Sequence, residues 1–375
     1  MIIVNAGQCD RTAIELMGLS TSRGNHHKIG QFGSGAIYAL VAAMRLGMKV
    51  TISSRDKDGA YDLSTWVNKD GRVYFRYKTG MTLFGFITER TRSVATTFHQ
   101  SLGTMDWTQP FQVVREFVTN AYDASPGNWA VFPGSESDVA RGMVTSLNGE
   151  ATVVTIDSDE ADKIYDKWYD FFRLKPTLGV SALIPATVSE GVYGKPKPGP
   201  LRLFHKGVLL PWPSTAVPVS MFDYEGDFTI SEARTVVNTW YTQAVCARLM
   251  AKYLSTPTAV KSFVEWLKAK GNSFEASLEF DTWPTVKDAI IDEFERIAGH
   301  KRIASYAPPS SRASDAVYAP AWVAASHHER REFQQLPSNI VVSPTQAAEL
   351  AKLVREHVYD ISKRSELLTA LGFSA

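Results

Sequence analysis

Gly30-Gln31-Phe32-Gly33-Ser34-Gly35-Ala36-Ile37-Tyr38-Ala39-Leu40-Val41-Ala42-Ala43-Met44-Arg45-Leu46-Gly47 is the stretch on which the reading of this chain turns. Gly30, Gly33 and Gly35 let the backbone bend sharply and approach a ligand, and the run from Ala36 to Leu46 has helix-forming composition. A glycine turn feeding a helix N-terminus offers unpaired N–H groups at the positive end of the helix dipole, a recipe for holding phosphate. A tight turn before an ordinary core helix reads the same way, so the segment by itself leaves both open. Two nucleotide motifs are excluded. A Walker A loop needs Lys and then Ser or Thr after its last glycine, whereas Ala36 and Ile37 follow Gly35. A dinucleotide fingerprint runs G-x-G-x-x-G directly after a strand, whereas these glycines run G-x-x-G-x-G after the polar Ser20 to Lys28.

Downstream of Met48 the pattern changes to period two, in K-V-T-I-S-S, S-T-W-V-N, R-V-Y-F-R-Y-K, T-L-F-G-F-I-T-E and S-V-A-T-T-F. These runs predict an antiparallel meander, with Asn68-Lys69-Asp70-Gly71 as a hairpin turn. One face of that meander must pack on helices, the Ala36 to Leu46 helix first. Upstream, Ile2 to Val4 reads as a short buried strand entering a turn at Asn5-Ala6-Gly7, and Asp10 can cap a short helix to about Leu16. The polar segment from Gly18 to His27 is of the type that serves as a lid.

Pro110 to Ala124 restores helical spacing. Phe111, Val114, Phe117, Val118 and Ala121 form one buried stripe, and Pro110 suits a first turn. Glu116, Asn120 and Asp123 recur at four and three and so project together from another side, which as a pattern is equally that of a solvated face.

The 375 residues allow two domains, and a formal charge of +1 implies no large basic surface for nucleic acid. Cys9 and Cys246 have no C-x-x-C spacing, which argues against a disulfide scaffold or a thiolate metal site and fits a reducing compartment. No run reaches the length of a membrane span, and the expectation is a soluble, cytoplasmic protein with no membrane partner. Ser125 to Ser137 reads as a loop, Ala151 to Asp157 as a strand and Asp159 to Phe172 as an aromatic-rich helix. Lys195-Pro196-Lys197-Pro198-Gly199-Pro200 reads as a stiff linker, which divides the chain into residues 1–175, a linker 176–200 and a mainly helical region 201–375. Within the last region L-R-L-F-H-K-G-V-L-L reads as a hairpin. Ser231 to Leu254, Thr258 to Lys270 and Thr285 to Ile297 read as helices, Tyr306 to Pro320 as a loop and Pro344 to Leu371 as mostly helical. His26-His27 and His327-His328 read as exposed loop histidines, because adjacent histidines on regular structure diverge.

These residues together resemble the GHKL ATPases, the Bergerat-fold group that includes gyrase B subunits, MutL proteins, ninety-kilodalton heat-shock chaperones, sensor histidine kinases and microrchidia proteins. Ile29-Gly30-Gln31-Phe32-Gly33-Ser34-Gly35 matches the second glycine box, with a continuation closest to the microrchidia form. Arg115-Glu116-Phe117-Val118-Thr119-Asn120-Ala121-Tyr122-Asp123-Ala124 matches the N box, and Ile2-Ile3-Val4-Asn5-Ala6-Gly7 resembles the strand and first glycine box. The N box normally precedes both glycine boxes and here follows them. Circular permutation explains this order: the hairpin before the first glycine box is cut, Met1 to Val4 and Ala151 to Ile156 become its two strands, and the old termini join around Leu102 to Gln109. The resemblance covers about Met1 to Asp157 and implies an α+β fold, a Bergerat-type α/β sandwich with a mixed, mostly antiparallel sheet and helices on one face.

It also implies ATP and Mg²⁺. The family's Mg²⁺ ligand maps to Asn120 and its general base to Glu116, while Asp123 joins the hydrogen-bond network of the nucleotide site. Gly30, Gln31, Phe32, Gly33, Ser34 and Gly35 would cradle phosphates, and Ser20, Thr21 and Ser22 would close over them. Asn5 and Gly7 would meet adenine. The family has Asp where this chain has Asn5 and a second glycine where it has Cys9, which loosens adenine selectivity; Asp157 is a candidate for the missing carboxylate. Lys206 could reach a terminal phosphate as lysines from a second domain do in gyrase and MutL, but it reads first as a surface lysine at a hairpin turn. The implied function is Mg²⁺-dependent ATP hydrolysis that moves a lid or interface, in a possible homodimer. The alternative is a nucleotide-gated module that binds a protein or DNA partner and hydrolyses little. A histidine-kinase-like reading lacks a phosphoacceptor helix ahead of the ATP region.

Overall fold

The computed structural model describes residues 1–9, 11, 14, 29, 35–56, 59–83, 86–103, 107–147, 150–177, 189–231, 234–306, 314–335 and 351–355. They fall into two units, Met1–Ala289 and Ile290–Ala375.

The first unit is built on a seven-stranded sheet. Its strands are β1 (Ile2–Ala6), β2 (Lys49–Asp56), β3 (Gly59–Val67), β4 (Arg72–Leu83), β5 (Phe86–His99), β6 (Trp129–Phe132) and β7 (Ala151–Asp157). They lie in the order β5-β4-β3-β2-β7-β1-β6, and every neighbouring pair is antiparallel. The α+β class with a large antiparallel sheet is therefore as expected. The meander β2 to β5 follows from the alternation of apolar and polar residues. At the β3–β4 turn Gly71 takes φ +80°, and the Asn68 side-chain oxygen accepts from the N–H of Asp70 at 3.1 Å and of Arg72 at 2.9 Å. Within the run read as one strand, Thr82 and Leu83 end β4 and Phe86 begins β5, and the two strands pair from Leu83 opposite Phe86 outward.

β1 sits between two antiparallel partners. Ile2 faces Thr155 and Ala6 faces Ala151 on β7, while Ile2 also faces Phe132 and Asn5 faces Trp129 on β6. β6 is a correction to the sequence reading, which left 125–137 as a loop. Its four residues are wholly buried, and glycine and proline on either side masked so short a strand.

Helices α1 (Gly35–Arg45) and α2 (Pro110–Ala124) cover one sheet face. Ala39, Leu40, Ala43, Val114, Phe117 and Val118 pack there against Ile3, Ile52, Leu63, Phe75, Val131 and Ile156. Helices are not confined to that face. α3 (Ser137–Ser146) packs Ala140 and Met143 on the other side, against Ile2, Val4, Ala130 and Phe132. The aromatic segment after β7 is two helices, α4 (Asp159–Asp166) and α5 (Trp168–Phe171), whose Ile164 and Trp168 join the α1–α2 side of the core.

Gly47 ends α1 with φ +71°, its N–H bonding to the Met44 carbonyl and that of Met48 to the Ala43 carbonyl, the reciprocal pattern of a glycine C-cap. Arg45, in the last turn, donates to the carbonyls of Gln100, Leu102, Gly103 and Trp107 and so fixes the chain between β5 and α2.

A four-stranded sheet follows, β8 (Gly191–Pro200), β9 (Arg202–His205), β10 (Val208–Leu210) and β11 (Val219–Glu225), in the order β10-β9-β11-β8. Residues 191–200 are thus an edge strand rather than linker. Proline has no N–H to give a ladder, and an edge strand is where a sheet accepts it. Beyond it α6 (Thr239–Tyr253) begins eight residues later than the expected Ser231, capped by the Asn238 side chain on the Tyr241 N–H at 3.0 Å. α7 (Pro257–Ala269) and α8 (Pro284–Ala298) match the reading closely, each opening on proline.

The second unit begins within α8. It holds the parallel pair β12 (Arg302–Ser305) and β13 (Ala316–Ala319), helix α9 (Ala321–Gln335) and a helical segment at 351–355. Among the described residues after 200 these helices are joined by the short strands β9 to β13. His327 and His328 lie on α9, not in a loop, and His327 Nδ1 is 2.8 Å from Glu295 Oε1. Among the described residues no helix is long and apolar enough to cross a membrane.

Candidate functional site

Helix α2 organises the site. Pro110 occupies its first turn, and the Gln112 side-chain oxygen accepts from the N–H groups of Thr108 at 2.8 Å and Gln109 at 2.9 Å, closing the N-terminus. Every residue from Phe111 to Thr119 is buried, so the polar side of the helix is not a solvated face. Glu116 is 5% exposed and Asp123 8%, while Asn120 is half-buried. Buried carboxylates require partners, and those partners define what surrounds the helix.

Asp123 Oδ1 accepts from the main-chain N–H of Ile29 at 2.8 Å. Ile29 is thereby held at the last turn of α2. Two turns earlier on α2, Glu116 lies against the start of α1. A Cβ placed on Gly35 would fall 2.1 Å from Glu116 Oε1 and 2.6 Å from Oε2, so only glycine admits the carboxylate there. Negative charge at a helix N-terminus is also favoured by the dipole.

The next partner comes from beyond β11. Arg234 Nη2 is 3.2 Å from Glu116 Oε2, and Arg234 Nη1 donates to Thr119 Oγ1 at 3.1 Å. Both ends of this ion pair are buried. On α2 itself Arg115 is fully buried, its guanidinium 5.4 Å from the Trp107 ring centre and 6.0 Å from that of Phe111. Burial pushes its pKa down to about 9; Arg234 adds to that shift and Glu116 opposes it. Lys206 sits in the β9–β10 turn with φ +50°. Burial lowers its pKa, while the Asp123 carboxylate acts in the opposite direction, which brings the turn lysine into the field of the same helix.

At β1, Asn5 has the parity of Ile3 and so belongs to the face that packs on α2. It is buried, and its Nδ2 donates to the Ala6 carbonyl at 2.9 Å. Gly7, at φ +99°, donates to the Glu150 carbonyl and accepts from Thr152 Oγ1 at 2.9 Å. Thr152 stands opposite Asn5 and its hydroxyl is 3.0 Å from Ser54 Oγ, which accepts the Cys9 N–H. Asp157 does not supply a carboxylate here. It lies at the far end of β7, exposed and 3.6 Å from Lys49.

The structure thus brings Gly35, Glu116 and Asp123 together with Ile29. Ser20, Thr21, Ser22, Gly30, Gln31, Phe32, Gly33 and Ser34 lie outside the described residues. Sequence reasoning missed Arg115 and Arg234. An arginine inside the apolar run V-V-R-E-F-V was a visible signal for the first. The second fell in a stretch read as helix, with nothing in its spacing to aim it at α2. Two carboxylates and an amide on one helix, faced by two cations from the second sheet and its following loop, make a charged, largely dry site. Among the described residues no group of three or more His, Cys, Asp or Glu side chains could hold a metal ion. No family model, curated protein or solved structure matches the chain.

Proposed function

We propose that the chain binds ATP with Mg²⁺ and hydrolyses it as a circularly permuted GHKL-type ATPase. The observation that carries this reading is the approach of Gly35 to the Glu116 carboxylate, with Ile29 bonded to Asp123 two turns away. A glycine turn and a carboxylate helix far apart in sequence are what a phosphate cradle and a general base need. Permutation is supported by the antiparallel pairing of β1 with β7 across the whole of β1.

In this reading Glu116 accepts the proton of the attacking water, and the glycine box of residues 30–35 gives N–H groups to the phosphates. The Asn120 side-chain oxygen is the protein ligand for Mg²⁺, which neutralises phosphate charge when bound. A single neutral oxygen from the protein fits an ion that keeps most of its waters. Asn5 can accept from the adenine amino group through its amide oxygen, since its Nδ2 is occupied by the Ala6 carbonyl.

The second reading, a nucleotide-gated module with little turnover, is favoured by one observation: the would-be base is already ion-paired with Arg234. Phosphate release from saturating Mg-ATP, measured beside nucleotide binding on the purified chain, separates the two. Binding with turnover abolished by EDTA supports the ATPase; binding without turnover supports the module; neither removes both.

A further inference from the structure

We propose that Arg234 is a positioning residue for Glu116, its guanidinium fork holding the carboxylate in the orientation that a base needs. This rests on the reading of Glu116 as the base of an ATP-hydrolysing site.

The loop is built to deliver one side chain. Ile230 and Val236 form an antiparallel bridge, the Ser231 N–H bonds to the Thr235 carbonyl, and the two hydroxyls of Ser231 and Thr235 lie 2.8 Å apart. Arg234 sits inside this closed loop at φ +55°, a backbone conformation that L side chains rarely adopt. Its N–H is bonded to the Ser231 carbonyl, so the unusual conformation is held by the loop's own bonds. Such a conformation persists where the surroundings over-determine it.

The delivered guanidinium is 5% exposed and its fork spans one turn of α2, Nη2 on Glu116 and Nη1 on Thr119. Planarity of the fork lets two contacts fix one geometry. Glu116 is bracketed as a result. Arg234 engages Oε2, and Oε1 occupies the space at the start of α1 that a Cβ on residue 35 would fill. The carboxylate is therefore aimed by a residue more than one hundred positions away, attached to the second sheet.

The test uses the full chain and four variants: R234A, R234K, E116Q and E116Q/R234A. With Mg-ATP, R234A is expected to lower kcat by about 100-fold, the size of effect that misplacing a catalytic group produces, with little change in nucleotide affinity. R234K recovers part of the loss, because an ammonium can meet Glu116 but cannot also span to Thr119. In the E116Q background R234A leaves ATP affinity unchanged. An unchanged or raised kcat in R234A, or a fall in ATP affinity in E116Q/R234A, would overturn the proposal. Thermal unfolding guards against a folding artefact. R234A leaves a buried carboxylate without its partner, so E116Q/R234A should melt above R234A; if it melts no higher, the side chains are uncoupled and the proposal fails. Absence of nucleotide binding by the wild-type chain would instead strike the ATPase reading, and the melting cycle would still report whether Arg234 holds Glu116.

Discussion

The main-chain N–H of Ile29 donates to Oδ1 of Asp123 at 2.8 Å across a sequence separation of 94 residues, and the bond is buried. A main-chain donor has no rotamer to adjust, so this bond sets the position of Ile29 relative to α2. D123A removes a charged acceptor and leaves a buried N–H unsatisfied, a loss of roughly 1.5–3 kcal/mol. D123N keeps an acceptor oxygen and should lose less. Urea unfolding of the two variants checks the order. The same order is expected in ATP affinity, because both effects run through the position of the glycine box.

Gly35 makes a sharper prediction. A methyl group there would meet Glu116 at distances no non-bonded contact allows. G35A should therefore cost about 1–3 kcal/mol by overpacking, although alanine ordinarily favours a helix over glycine. The penalty belongs to the Glu116 side chain, so it should vanish in E116A. Thermal melts of G35A, E116A and the double variant decide it. Equal penalties in both backgrounds would mean the contact is not what makes glycine necessary.

On the proposed chemistry, E116Q should retain nucleotide and lose turnover by roughly 10²–10⁴-fold, the range for removing a general base. N120A should lose the Mg²⁺-dependent part of ATP affinity and leave the part measured in EDTA. Asn120 is half-buried and lies in the interior of α2, so little stability is at stake, and circular dichroism should show an unchanged fold. Phosphate release and nucleotide titration with and without Mg²⁺ check both variants.

What the sequence made legible was whatever depended on local periodicity. The alternation from Lys49 to His99 gave the meander, and the spacing of Phe111, Val114, Phe117 and Val118 gave α2 with its buried stripe. Hidden features depended on partners. Trp129-Ala130-Val131-Phe132 is a strand because β1 lies beside it, and four residues carry too little pattern to say so. Pro196, Pro198 and Pro200 suggested linker because proline breaks ladders, yet β8 has a neighbour on one side only. Glu116 was legible as a chemical group. Its burial by Gly35 and Arg234 was not, since a carboxylate on a helix reads as solvated until its partners arrive from elsewhere.

Glu225 yields the pH prediction. It ends β11, is 3% exposed, and accepts the Gly207 N–H at 3.0 Å in the turn that carries Lys206. Burial raises its pKa from 4.5 to about 7, against the opposing pull of the turn N–H groups and Arg173. Between those two values the folded chain keeps a proton that the unfolded chain releases. Stability is therefore greatest below the lower value and falls as pH rises through the window, by about 3 kcal/mol in all. Burial lowers the pKa of neighbouring His205, which works in the other sense, stability falling as pH drops below its ordinary value. Comparing wild type with E225Q removes that term, because His205 is common to both. Glutamine keeps an oxygen for the Gly207 N–H and carries no charge to bury. E225Q should consequently be more stable than wild type near pH 8 and no more stable near pH 5, with the pH slope between them reduced. Denaturant unfolding at the two values measures this. A slope equal to that of the wild type would mean that Glu225 is already ionised when buried, its charge met by Arg173 and the turn.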